Sequence, residues 1–386
     1  MIVAAAALPV THGAPRLARI EAHVYRYPVE TPVRTSFGIM HDRPALFLRV
    51  EDEEGAVGWG EVWCNFPQCG AEHRARLVAT VFAPLLEGRE PGDPAGLTAE
   101  LRDRTAVLAI QSGEPGPIHQ CIAGLDIALW DLAARRAGEP LWRLLGGTSP
   151  SIPVYASGIN PDRPELAAAR CQAEGHRAFK LKVGFGEKAD VGNLRAMRAA
   201  VGEGATLMVD ANQAWDLAGA VHHAALMAAL RLAWIEEPLR ADRPWPEWQA
   251  LAKTTRVPLA AGENIAGAEA FEDAFMSRAL GVVQPDVAKW GGISGCLRLA
   301  RRILETRLRY CPHFLGGGIG LLASAHLLAA AGGDGLLEID SNPNPLRTLT
   351  CGAVAKVQEG RVVLDSTPGL GAAPDADALR RYRVTP

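Results

Sequence analysis

Three short segments decide the fold: Phe179-Lys-Leu-Lys-Val183, Thr206-Leu-Met-Val-Asp210 and Leu232-Ala-Trp-Ile-Glu236. Each is a short, mostly apolar run of strand length, and Ala- and Leu-rich stretches of helical length separate them. Outward from these three the same unit recurs, as Ile152–Ser157 upstream and as Leu259–Glu263, Val282–Asp286, Arg309–His313 and Leu336–Asp340 downstream. Eight strands alternating with helices predict an α/β fold with a parallel β/α barrel.

From the second strand to the eighth, the strand ends carry Lys182, Asp210, Glu236, Glu263, Asp286, His313 and Glu338, at spacings of 28, 26, 27, 23, 27 and 25 residues. One strand, one helix and two loops take about 25 residues, so every step is one barrel unit. In barrel enzymes the rim at the C-terminal strand ends holds the active site. One such residue alone reads as a salt-bridged strand end, but seven in phase do not.

Asp210, Glu236 and Glu263 stand on three successive strands. Converging carboxylates repel one another unless Arg or Lys pairs with them or a cation neutralises them. An all-oxygen donor set favours a hard ion, Mg²⁺ rather than zinc. Lys180 and Lys182 face the same side of their strand, and their apolar neighbours turn them toward the lumen. Like charges at that spacing should lower each other's pKa and suit Lys182 to act as a base. Asp286 is placed to orient His313 as a second acid/base group. Lys182 and His313 should reach the centre from opposite sides, with the acidic residues between. Glu338, if kept protonated, would donate a hydrogen bond to a developing enolate oxygen. His326 lies in an Ala/Leu helix and reads as packing.

Residues 17–66 read as strands and are followed by helices, among them one in which Ile118, Ile122, Leu125, Leu129 and Leu132 recur at helical spacing. Strands then helices predict an α+β module. The expected division is a loose N-terminal extension at 1–16, the α+β module at 17–147, the barrel at 148–350, and a C-terminal segment at 351–386 that packs back on the first module. Thr31 to Arg43 is a polar, flexible stretch.

Composition bounds the function. With 386 residues, 48% hydrophobic, 22% charged and a net charge of −3, the chain is an ordinary globular protein without a basic stripe, so no nucleic-acid partner is expected. The longest near-apolar run, Ile319–Ala331, is far shorter than the ~20 residues of a spanning helix, so no membrane partner is expected either. Met1–Val10 is apolar but lacks a cationic start and is interrupted by Pro9, unlike a secretory signal. Seven cysteines without CxxC pairing argue against a disulfide framework or zinc knuckle and fit a reducing cytoplasm.

The chain resembles the enolase superfamily, and within it the mandelate racemase subgroup. The matching segments are Lys180-Leu-Lys182, Val209-Asp-Ala-Asn212, Ile235-Glu-Glu-Pro238, Ala261-Gly-Glu-Asn264, Gln284-Pro-Asp286 with Gly291-Gly292, Pro312-His313 and Leu337-Glu338. The helix Gly124–Asp131 and Leu144-Leu-Gly-Gly147 resemble the family's domain junction. The resemblance spans nearly all of 17–372. It implies a capping domain over a modified TIM barrel, (β/α)7β.

Carried over, the resemblance makes Asp210, Glu236 and Glu263 the Mg²⁺ ligands, with Glu237 outside that set. It makes Lys182 one base, His313 with Asp286 the other, and Glu338 the electrophile. Lys180 and Asn212 would contact the substrate carboxylate and hydroxyl. The muconate-lactonising subgroup carries a lysine where Asp286 stands, and Lys289 is not at that position. In similar enzymes the 31–43 stretch closes over the site; here its Phe37 and His41 carry no assignable role. The implied reaction is removal of the proton α to a carboxylate of a small molecule, a sugar acid or 2-hydroxy acid, followed by loss of water. Racemisation or epimerisation, cycloisomerisation of a lactone, and a catalytically silent barrel are the alternatives. The resemblance also implies a homo-oligomer, a dimer or octamer.

Overall fold

The computed structural model describes residues 13–36 and 38–385. Residues 1–12 of the expected N-terminal extension, and Phe37, lie outside the described residues.

The first module opens with an antiparallel sheet of β1 (Leu17–Arg34), β2 (Ile39–Asp52) and β3 (Val57–Val62). The tight β2–β3 turn has a local cause: the Asp52 carboxylate accepts from the Glu54 and Ala56 N–H groups, and Gly55 takes φ +82°. Four helices follow, α1 (Gly70–Leu77), α2 (Ala83–Leu86), α3 (Pro94–Ser112) and α4 (Pro115–Arg136). α3 starts where Asp93 accepts from the Gly96 N–H with proline in the first turn, and stops at left-handed Gly113.

α4 is buried almost all round. Ile118, Ile122, Leu125, Leu129 and Leu132, the residues in helical register, pack into the core of the first module. Ile127, Trp130 and Ala134, on the opposite side, join the barrel core. α4 comes this close to β3 because Gly58 and Gly60 have no side chain: a Cβ there would stand 2.2 Å from Ala128 O and 2.0 Å from Gly124 O. A short helix, α5 (Leu141–Leu144), leads to the barrel.

The eight parallel strands are β4 (Ser151–Ile159), β5 (Ala178–Lys182), β6 (Thr206–Asp210), β7 (Leu232–Glu236), β8 (Leu259–Ala261), β9 (Val282–Val283), β10 (Arg309–Tyr310) and β11 (Leu337–Asp340). Helices α6 (Pro164–Ala173), α7 (Glu187–Val201), α8 (Leu217–Met227), α9 (Trp245–Thr254), α10 (Ala268–Ser277), α11 (Gly292–Glu305) and α12 (Gly318–Ala331) fill the connections. The ladder runs β10-β9-β8-β7-β6-β5-β4-β11. The seam between β10 and β11 is closed by other contacts. The Leu336 N–H donates to Cys311 Sγ at 3.4 Å and the Phe314 N–H to Glu338 at 3.1 Å. Beyond β11 come α13 (Pro345–Thr348), β12 (Arg361–Val363), which pairs with β4, α14 (Ala376–Leu379), and β13 (Arg383–Val384), which pairs with β1. The C-terminal segment thus touches both sheets.

The strands are shorter than the sequence suggests on the far side of the barrel. Lys182, Asp210 and Glu236 are last residues of their strands, but Glu263, Asp286 and His313 stand two or three positions past theirs. Gly262, at φ +152°, ends β8 and presses against the Gln284 backbone. Pro285 and Pro312 have no N–H to continue β9 and β10. A single bridge between Asp286 and His313 keeps those two residues side by side.

Gly335 sits at the seam, where a Cβ would lie 1.7 Å from Tyr310 O. Gly335→Ala should therefore cost roughly 2–4 kcal/mol, because backbone must move. A urea unfolding midpoint that stays at the wild-type value would contradict this packing.

Candidate active site

Both lysines of β5 point into the barrel, and they do different things. Lys180 lies deep, at 2% exposure. Its Nζ donates to both oxygens of Glu236 at 2.6 and 2.7 Å, lies 2.7 Å from Glu338 Oε1, and sits 5.3 Å from the centroid of the Tyr155 ring. Gln284 and the Trp234 indole also donate to Glu236. Glu338 accepts from the Ser157 hydroxyl at 2.5 Å and from the Phe314 N–H. This buried layer forms the floor of the site.

Above it is a cavity of about 310 Å³. Lys182, Asp210, Asn212, Glu263, Lys289 and His313 line it from the barrel. Val33, Thr35, Met40, Arg43, Trp63 and Asn65 line it from the first module, so the 31–43 stretch does face the site. Lys182 donates to Asn212 Oδ1 at 2.7 Å and lies 3.6 Å from Asp210. Asn212 donates to Asp210 through its backbone N–H and its side-chain amide. His313 is held through Nδ1 by Asp286 Oδ2 at 2.8 Å, while Nε2 meets Glu263 Oε2 at 2.5 Å. β5 and β10 are five places apart along the ladder, so Lys182 and His313 enter the cavity from separate arcs of the ring. Asn212, Gln213 and Glu237 all hold positive φ, at +42°, +66° and +39°. Such strain in side-chain-bearing residues gathers at functional loops.

The charges explain the titration. Burial pulls Lys180 down, but the carboxylates of Glu236 and Glu338 outweigh it and hold its ammonium well above the ordinary value. Burial likewise opposes the His313 imidazolium, and Glu263 and Glu338 overcome it, raising His313 well above 6.5. Burial raises Glu263, yet His313 and Lys289 hold it well below the usual carboxylate range. Glu237 goes the other way. Burial, then the Glu263 and Asp210 carboxylates, push it well up. Its Oε1 accepts from Asn264, and its buried Oε2 has no partner.

These facts bear on a metal. No three carboxylates, imidazoles or thiols among the described residues stand as a ready cage, because Lys180 draws Glu236 down and His313 draws Glu263 aside. The donor set nevertheless fits a hard dication. Asp210 and Glu263 line the cavity, Glu236 lies just beneath it, and the buried Oε2 of Glu237, beside Asp210 and Glu263, has no hydrogen-bond partner, as a group left for a cation would.

Two sequence expectations are corrected. The Lys180–Lys182 pair does not lower Lys180, because two carboxylates beside it outweigh a second ammonium. Nor do its neighbours favour a protonated Glu338: burial raises it, but Lys180, His313 and the Ser157 hydroxyl hold it below its ordinary value. Lys180, Glu236, Asp286 and Glu338 lie beneath the cavity, not along its lining. His326 is a packed imidazole that accepts from the Trp142 N–H at 2.9 Å, and burial pushes it down to about 4. Sequence reasoning gave no role to Ser157 or Trp63, quoted Gln284 only as part of a motif, and set Lys289 and Glu237 aside. Glu237 carried a signal of its own, as the second of two adjacent acids at a strand end.

A fold of this kind with this rim defines the enolase superfamily. Residues 163–378 match the family described as enolase C-terminal domain-like, and 19–146 match the mandelate racemase/muconate lactonizing enzyme N-terminal domain. The chain belongs to the mandelate racemase/muconate lactonizing enzyme family. It is 59% identical to a mandelate racemase/muconate lactonizing enzyme of known structure from Bordetella bronchiseptica, with TM-score 0.90 over 96% of this chain and 99% of that one. A racemase structure from Streptomyces coelicolor with bound magnesium is 29% identical, with TM-score 0.85 over 95% and 100%. Among curated relatives, 3,6-anhydro-alpha-L-galactonate cycloisomerase from Streptomyces coelicolor is 34% identical, over 95% of this chain and 99% of its own length. L-talarate/galactarate dehydratase from Salmonella typhimurium is also 34% identical, over 80% and 75%.

The charge balance predicts protonation states. In the metal-free protein at pH 7, His313 should be an imidazolium and His326 neutral. Because the folded His313 value is raised, its stabilising contribution is present below about 6.5 and lost only as pH climbs past the raised value. Imidazole nitrogen shifts followed by NMR, with His313→Asn to assign the signal, check this; a His313 midpoint at or below 6.5 would contradict it.

Proposed function

We propose that the protein removes the proton α to the carboxylate of a sugar acid and then expels an oxygen from the β carbon, most simply as water, which makes it an acid-sugar dehydratase. The observation that carries this is that Lys182 and His313, from separate arcs of the barrel, line one cavity with Asp210, Asn212 and Glu263 between them. Lys182 takes the proton. His313, with Nδ1 held by Asp286, presents Nε2 and delivers a proton to the departing oxygen. The L-talarate/galactarate dehydratase relative supports the dehydration reading. Lys180, held by Glu236 and Glu338, supplies positive charge beneath the substrate carboxylate, and Asn212 contacts the adjoining hydroxyl.

The ligands proposed for Mg²⁺ are Asp210, Glu236 and Glu263, with Glu237 at the edge of the set. When bound, the ion supplies the charge that stabilises an enediolate. The relative with bound magnesium supports the choice of ion. The cycloisomerase relative supports a second reading, in which the departing oxygen belongs to a ring rather than to a hydroxyl; proton removal by Lys182 is the same in both. The amides of Asn65, Asn212, Gln213 and Asn264 along the cavity suit a polyhydroxylated chain. No helix among the described residues is long and apolar enough to cross a membrane. Seven free cysteines, six of them buried, support a cytoplasmic setting. Val107 and Ile110, exposed on α3, support assembly into an oligomer.

Mono- and diacid sugars, with their lactones, incubated with the protein and Mg²⁺ should yield a 2-keto acid and exchange the α-proton with deuterated solvent. No exchange on any of them would sink the reading. Lys182→Met and His313→Asn should each lower turnover at least about 1,000-fold while leaving Mg²⁺ binding intact. Asp210→Asn and Glu236→Gln should weaken Mg²⁺ at least about tenfold by calorimetry, and Glu237→Gln much less. A larger loss in Glu237→Gln than in Glu236→Gln would exchange their roles.

A further inference from the structure

Glu61 belongs to β3 in the first module, yet it is only 2% exposed. Its side chain leaves that sheet and reaches the start of α12, the helix that follows His313. Oε1 accepts from the Gly317 N–H at 2.5 Å and Oε2 from the Gly320 N–H at 2.8 Å. α12 has no side-chain cap of its own, because Gly317 stands at the cap position. The free N–H groups and positive dipole end of a helix start need an acceptor. Here Glu61 provides it from another module, while Thr350 takes the Gly318 N–H from the barrel side.

The neighbouring glycines leave room for this contact. A Cβ on Gly316 would lie 2.9 Å, and one on Gly317 2.8 Å, from Glu61 Oε1. A Cβ on Gly320 would come within 2.2 Å of the Phe314 ring. Phe314 directly follows His313, and its N–H donates to Glu338. The segment from His313 to Gly320 is thus anchored to Glu338 on the barrel side and to Glu61 on the other.

We infer that Glu61 is a positioning residue: by capping α12 from outside the barrel, it makes the placement of the His313 imidazole depend on the docking of the first module. The inference rests on His313 acting as the acid of the proposed reaction, so position and turnover are read separately. In the full chain, Glu61→Gln keeps the side-chain volume but loses one acceptor oxygen. Amide hydrogen exchange across 316–320 should quicken about five- to tenfold, and the His313 imidazole resonance should shift. The kcat should fall at least about tenfold, with KM and Mg²⁺ affinity within about twofold, and Glu61→Asp should recover part of the loss. Thr350→Val removes an acceptor at the same helix start from within the barrel, and should leave the His313 resonance in place.

Unchanged exchange and an unmoved His313 resonance in Glu61→Gln overturn the inference, as does an equal shift in Thr350→Val. If Glu61→Gln does not fold, Glu61→Asp carries the same comparison. If the wild-type protein processes no acid, the reading of the reaction fails, while exchange and resonance still decide the role of Glu61.

Discussion

The structure depends on how negative charge is balanced at the barrel mouth. Lys180 is shared between Glu236 and Glu338 in a buried floor. Breaking such a buried pair by removing one partner costs about 3–5 kcal/mol, so the ammonium holds the floor together and favours the carboxylate form of Glu338. The layer above repeats the arrangement more loosely, with Lys182 near Asp210 and His313 against Glu263. Glu236 links the two layers, since it is held by Lys180 from below and stands next in the strand order to Asp210.

The barrel was legible in the sequence because its units repeat. Regular spacing of ionisable residues at strand ends singled out Asp210, Glu263 and His313, which line the cavity, and Glu236, which lies beneath it. Spacing cannot say which of two adjacent acids turns which way. At Glu236-Glu237 the backbone passes to positive φ, which sends one side chain down to Lys180 and leaves the other near Asp210 and Glu263. Nor does spacing give depth. Lys180 and Lys182 look alike in sequence, yet one is floor and the other is cavity wall, and only neighbours on other strands make the difference.

What remained invisible comes from long-range contacts. Trp63 and Asn65 reach the cavity from just past a strand whose local pattern gives no sign of a site. Glu61 reads locally as an ordinary end of a strand. Its partners lie some 250 residues away in the chain, so no window of sequence could pair them. Trp63 does more than wall the cavity: the Lys289 ammonium lies 4.7 Å from the centroid of its ring, and contact of this kind is worth roughly 0.5–2 kcal/mol. The first module thereby steadies a cation that also faces Glu263.

α4 belongs to two hydrophobic cores at once. A helix shared in this way couples their melting, so the protein should lose both in one cooperative event rather than shed the outer layer first. The same sharing restricts inheritance. A foreign outer layer could be accepted only with its half of α4 already matched to Ile127, Trp130 and Ala134. Diversification among such enzymes is therefore easier through changes at the loops that meet the ligand than through exchange of whole pieces.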